Sequence, residues 1–238
     1  MTWSIIARDK ATGCFGIAVA TRFFAAGARV PFIAAGIGAV ATQALINPFY
    51  GINGLRRLAE GKPADAVVTS LIAADAGRDH RQLHVMDASG RVAAHVGAAC
   101  IDWKGHVHDD GFSIAGNMLA GPRVLDDTMA AYLANGAVPF PRRLIAAMQA
   151  GEAVGGDKRG KQSAALLIYG EDEWSDLDLR VDDHAEPLAE LERLERVSRE
   201  RWTTFRRFLP SRRDPVGVTD RTIIEQEIAR AHAAETPP

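Results

Sequence analysis

The chain has 238 residues, 47% of them hydrophobic, and 28 lysines and arginines against 30 acids give a formal net charge of -2. That is enough apolar material for one large domain or two small ones with a sizeable core; the balanced charge argues against a globally basic nucleic-acid binder, and no apolar run approaches the roughly 20 residues that cross a bilayer. Two cysteines, Cys14 and Cys100, are too few for a disulfide framework, and without a basic-then-apolar leader the expected compartment is the cytoplasm.

Residues 2–7 read as a strand, with Trp3, Ile5 and Ala7 on one face and Ser4 and Ile6 on the other. A turn at 9–13 leads to an almost wholly apolar strand at 14–21, which predicts cover on both faces and a hairpin with the first. Residues 22–27 leave the sheet. Segments 29–34 and 37–43 form a second strand pair around Ala35-Gly36. After Asn47-Pro48, helices are predicted over 51–60 and 64–75, the second with Val67, Val68, Leu71 and Ile72 as its apolar stripe. Strands 81–86 and 91–96 flank a hairpin turn at 87–90. Segment 100–110 reads as polar and irregular, and 112–117 as a short strand. Helices over 122–135 and 141–150 follow, then a glycine-rich charged loop at 151–161 and two strands, 162–169 and 177–182.

Hairpin-like connections argue against a doubly wound parallel sheet. The expected class is α+β: a four-layer αββα sandwich of two mostly antiparallel sheets over residues 1–184, plus a C-terminal helical extension over 185–238. The extension opens at Pro187 with one charged helix running to Phe208. Its stripe, Leu188, Leu191, Leu194, Val197, Trp202, Phe205 and Phe208, would dock on the body or on a second subunit. A linker at 210–215, a helix over 219–232 and a frayed Pro237-Pro238 end complete the chain.

Chemistry centres on Thr2. If Met1 is removed, this residue carries a hydroxyl and a free α-amine, whose reference pKa is about 7.7–8.0. A threonine hydroxyl needs a base beside it to act as a nucleophile, and here one residue would supply both; an ordinary strand start is the rival reading. Asn117, beside Gly116, either donates to a developing oxyanion or bonds its own turn. Gln43 orients substrate or Thr2, or is a satisfied buried amide. Asp79 and His80, between Arg78 and Arg81, form a charged pocket wall or a structural pair. Asp157, Arg159, Gln162 and Ser163 join a flexible loop to a core strand, where a binding loop would be mounted. Asp182-Asp183-His184 points in alternating directions along a strand, and His95, His106 and His108 lack further ligands, so neither metal nor other cofactor is expected.

Several runs together resemble a bacterial family of unassigned function that is grouped with the Ntn (N-terminal nucleophile) hydrolases: 2–9 (TWSIIARD), 38–44 (GAVATQA), 77–82 (GRDHRQ), Gly116-Asn117 before Ala120-Gly121-Pro122, 155–164 (GGDKRGKQSA) and 179–184 (LRVDDH). The resemblance implies the αββα fold but no substrate. A more distant likeness to proteasome β-subunits places Arg22 as the basic residue of the turn after the second strand. Ala20 and Thr21 stand where that pattern has an acid, and Arg29 is the cation near the position of its lysine, so other groups would have to tune Thr2. The expectation is a hydrolase of an amide or related acyl bond, with Thr2 and Asn117 catalytic and Gln43, Arg22, Asp79, His80, Asp157, Arg159, Gln162 and Ser163 binding. The alternative is a non-catalytic small-molecule-binding or assembly domain. Expected partners are a small-molecule or peptide-like substrate and further copies in a homo-oligomer, with no nucleic acid and no membrane.

Overall fold

The structure is a computed structural model and describes residues 2–235. Met1 and the Pro237-Pro238 end expected to fray lie outside the described residues. The chain forms two compact units that divide between Leu191 and Glu192, inside a helix, whereas the composition changes at residue 185.

The first unit carries ten strands in two antiparallel sheets. β1 (Thr2–Arg8) and β2 (Phe15–Thr21) are central to a six-stranded sheet ordered β10-β9-β2-β1-β8-β7, with β7 (Trp103–Asp109), β8 (Phe112–Leu119), β9 (Ser163–Tyr169) and β10 (Ser175–Val181). The other sheet runs β3-β4-β5-β6, from β3 (Pro31–Ala34), β4 (Gly38–Ala44), β5 (Arg81–Asp87) and β6 (Val92–Val96). Helices α1 (Pro48–Ala59) and α2 (Ala64–Ala73) pack on the four-stranded sheet, and α3 (Arg123–Ala134) and α4 (Phe140–Ala153) on the six-stranded one. Ile6, Ile17 and Val19 meet Val30, Ala39, Ala41 and Met86 in the core between the sheets. Because each sheet is covered on both faces, the central strands read as apolar runs rather than clean alternations.

Three local expectations are corrected. Segment 100–110 contains the ordered edge strand β7, paired with β8; it carries little alternation because one edge strand lies half in water, and Gly105 is needed beneath the Trp103 ring. Helix α1 begins at Pro48, earlier than residue 51, because Asn47 caps it by accepting the Phe49 N–H. The helix opening at Pro187 ends at Glu200 rather than Phe208. Arg201, at φ -145, interrupts it before a short α6 (Trp202–Phe205), so α5 is Pro187–Glu200, and α7 (Arg221–Glu235) closes the described chain. Within the second unit, Nη1 and Nη2 of Arg201 donate to the Glu225 carboxylate, at 2.9 and 2.5 Å.

Candidate active site

Strand β1 sets Thr2 directly across from Asn117 of β8. The Thr2 hydroxyl donates to Thr21 Oγ1 at 3.2 Å, at the end of β2. Both threonines are buried, yet both line a cavity of about 500 Å³ at that end of the sheets. One wall comes from the segment leaving β2, with Phe23, Ala26 and Val30; the other comes from the end of β4 and the start of α1, with Ala44, Leu45, Ile46 and Pro48. The chain turns sharply on both sides: Ala25 and Ala44 have φ of 54 and 69. Alanine in the left-handed region costs on the order of 1–3 kcal/mol, so the surrounding packing holds these two turns in place.

Behind the threonines, the two sheets share a buried polar layer. Gln43 Nε2 donates to Gln82 Oε1 at 2.8 Å, to Ala115 O at 3.0 Å and, more weakly, to Thr2 O at 3.4 Å. Asn117 Nδ2 donates to the same Gln82 oxygen at 2.8 Å and to Thr2 O at 3.4 Å. Gln82 in turn donates to Gly105 O and Gly116 O. Ser4 donates to Gln43 Oε1 at 2.8 Å, which leaves its oxygen to accept from His84 Nε2, 2.9 Å away. That assignment puts the proton of neutral His84 on Nε2, so Nδ1 accepts from Ser113 at 2.8 Å, and Ser113 accepts from His106 Nε2 at 2.9 Å. Burial holds the His84 imidazole well below its usual value, and the neighbouring His106 pushes the same way. Burial also brings His106 down to about 4, helped by His108, whose ring stacks on it. Both are neutral at pH 7, and a neutral His84 is consistent with its Nδ1 accepting from Ser113.

A second group gathers at the end of β2. The Asp157 carboxylate is fully buried, accepts the Arg22 backbone N–H at 2.7 Å and pairs with Arg159 at 3.1 Å. Arg22 returns a guanidinium bond to Arg159 O. Ser163 donates to Phe23 O at 2.6 Å and accepts the Ala26 N–H, which pins the cavity's aromatic wall to β9. Gln162 instead bonds Asp183 and lines, with Arg22, Lys161 and His184, a separate polar pocket of about 460 Å³. Asp79 and His80 stand apart: they sit exposed on a 3-10 turn, Arg78–His80, and His80 reaches the cavity's wall only through its carbonyl, which accepts the Leu45 N–H.

Sequence reasoning thus names Thr2, Asn117 and Gln43, which are adjacent in space, but passes over Thr21, Ser4, Gln82, His84 and Ser113. A signal for two of these exists: Gln82 and His84 alternate with Leu83 and Val85, a polar face on a strand expected to be buried. Among the described residues no group of three or more His, Cys, Asp or Glu side chains is placed to hold a metal, and no helix is long and apolar enough to cross a membrane.

Fold and site together define a two-sheet α+β sandwich whose first strand opens onto a cavity. The chain belongs to the family of unknown function DUF1028, whose family model matches residues 2–191. It is similar to the crystal structure of a Silicibacter pomeroyi protein assigned to the same family, with 33% identity, a TM-score of 0.84, and coverage of 92% of this chain and 99% of that one. Anbu, an ancestral β-subunit from Yersinia bercovieri, aligns over 82% of this chain and 94% of its own at 11% identity and a TM-score of 0.39, a likeness too loose to bear on fold or chemistry. No curated protein matches.

Proposed function

We propose that the protein is an N-terminal-nucleophile hydrolase of an amide or related acyl bond, acting through Thr2 once Met1 has been removed. The observation that carries this reading is the placement of Thr2: it opens a central strand, is held from behind by side-chain amides, and lines a cavity large enough for a small ligand. In the reaction, Thr2 Oγ1 attacks the carbonyl carbon and its proton passes to the Thr2 amine. Collapse of the tetrahedral intermediate breaks the C–N bond, and the protonated amine gives its proton to the leaving nitrogen. Water, deprotonated by the same amine, then cleaves the ester and restores the hydroxyl. Asn117 belongs to this scheme as a positioning residue, because its amide is engaged by Gln82 Oε1 and Thr2 O. Backbone N–H groups at the cavity then carry the oxyanion.

A binding-only reading is favoured by one feature: among the described residues, no lysine, arginine, histidine or carboxylate other than Arg29 lines the cavity. Intact-mass analysis and labelling with a β-lactone decide between them. The hydrolase predicts a native chain beginning at Thr2 and a covalent adduct on Thr2 that is absent in Thr2→Ala. Retention of Met1 in the native chain would remove the mechanism.

A further inference from the structure

The lining of the cavity above Thr2 has a chemical bias that its two hydroxyls do not explain. Its walls are carbon, supplied by Phe23, Val30, Leu45 and Ile46. Phe23 and Leu45 are 52% and 62% exposed despite their size. Leaving such surface in water costs about 25 cal/mol per Å², a cost relieved when an apolar ligand covers it. Among the described residues one charged residue, Arg29, is part of this lining. Its guanidinium has no ion-pair partner among the described residues, unlike Arg159 on Asp157 and Arg81 on Asp75. An arginine fork matches a carboxylate in two parallel hydrogen bonds. Arg29 is itself exposed, and one guanidinium fork is filled by one carboxylate.

We infer that the cavity takes a monoanionic N-acyl amino acid or compound of that kind: an apolar body against Phe23, Val30 and Ile46, a carboxylate on Arg29, and a carbonyl presented to Thr2. The volume, about 500 Å³, suits a ligand of that size. Only the presentation of the carbonyl to Thr2 rests on the hydrolase reading; the recognition of the carboxylate does not.

The test uses full-length Thr2→Val, which keeps the shape of the side chain and cannot turn over its ligand. It is titrated by calorimetry with N-acetyl-L-phenylalanine and with the uncharged N-acetyl-L-phenylalaninamide. The acid is expected to bind about tenfold more tightly than the amide, a difference of about 1.4 kcal/mol. Arg29→Gln is expected to abolish the difference while leaving the amide's affinity unchanged, and Arg29→Lys to keep part of it. Equal affinities for acid and amide, or no saturable binding of the acid at millimolar concentration, would overturn the inference. Turnover of the processed native chain is measured separately. Acid binding without turnover removes the hydrolase and leaves this inference standing; turnover without preference for the acid does the reverse.

Discussion

Gln82 is the side chain on which the back of the cavity depends. Its oxygen accepts from Gln43 and Asn117, and its nitrogen donates to Gly105 O and Gly116 O, so one residue ties β5 to β4, β7 and β8 across the two sheets. In Gln82→Leu the two amide donors lose their nearest acceptor, and the buried Gly116 carbonyl and the half-buried Gly105 carbonyl lose a donor. Each unsatisfied buried group costs about 1–3 kcal/mol, while the added apolar contact returns less, so a loss of about 3 kcal/mol is expected in urea unfolding. Gln82→Met, which also lacks the amide, should lose a similar amount; if either variant proves as stable as the parent, the polar layer does not hold the sheets in register. At this scale the sequence reveals Thr2 and its neighbours Gln43 and Asn117 because each ends or begins a strand as read from the sequence. It conceals Ser113, and marks Gln82 and His84 only by their alternation with Leu83 and Val85, because inward polar residues look the same as outward ones until the partner sheet is known. Asn117 illustrates the limit: its residue type fits an oxyanion donor, and only the neighbouring Gln82 shows where its hydrogens go.

At the scale of elements, helix α1 carries a wall of the cavity at its first residue, Pro48, and its height over the sheet is set by Gly51. A Cβ at Gly51 would stand 2.2 Å from the Phe32 ring on β3. In an exposed helix, Gly→Ala stabilises by about 1 kcal/mol. Here overpacking, typically about 1–3 kcal/mol, opposes that gain and exceeds it, since a rigid aromatic ring rather than a flexible chain end is in the way. Gly51→Ala is therefore expected to lower the melting temperature and weaken ligand binding together. Gly121→Ala, whose Cβ meets nothing within 4 Å, serves as the control and should leave both unchanged. A raised melting temperature for Gly51→Ala would show that α1 shifts without cost. The order of strands and helices is legible in the sequence, since apolar runs, turn residues and helical stripes all mark it. The edge strand β7 is not, because its residues, Lys104, His106 and His108 among them, satisfy partners across one edge only and need not be apolar. The start of α1 is missed for a different reason: Asn47-Pro48 reads as a break after the strand, and in the fold the same two residues are the cap and the first residue of the helix.

The first unit as a whole should lose stability in acid in two stages, and the sign follows from its buried groups. His84 and His106 have folded pKa values below the unfolded value of about 6.5. Between the folded and unfolded values the unfolded chain binds more protons, so their contribution is complete above about pH 6.5 and is lost as the pH falls, through about 4 for His106 and lower still for His84. Each histidine adds about 1.4 kcal/mol per pH unit to the slope while its protonation differs between the states. Asp178, whose carboxyl is pushed up by burial, works in the opposite sense just above its usual range, one group against two. The second stage belongs to Asp75. Burial alone would raise its carboxyl, but hydrogen bonds from Tyr50, the Gly77 N–H, Asn47 and Arg81 together outweigh burial and bring it down to about 2. Its contribution is complete above its unfolded value and disappears as the pH falls through about 2. Hydrogen exchange of the β1 and β8 amides between pH 7 and 4, corrected for the intrinsic exchange rate, reads the first unit alone. Protection should fall steadily over that range, and His106→Gln, which keeps an N–H for Ser113, should remove about one histidine's share of the slope. If protection stays flat down to pH 5, or if His106→Gln leaves the slope unchanged, the two imidazoles are not the neutral, buried members of the chain from His106 to Ser4 that the hydrogen bonds describe.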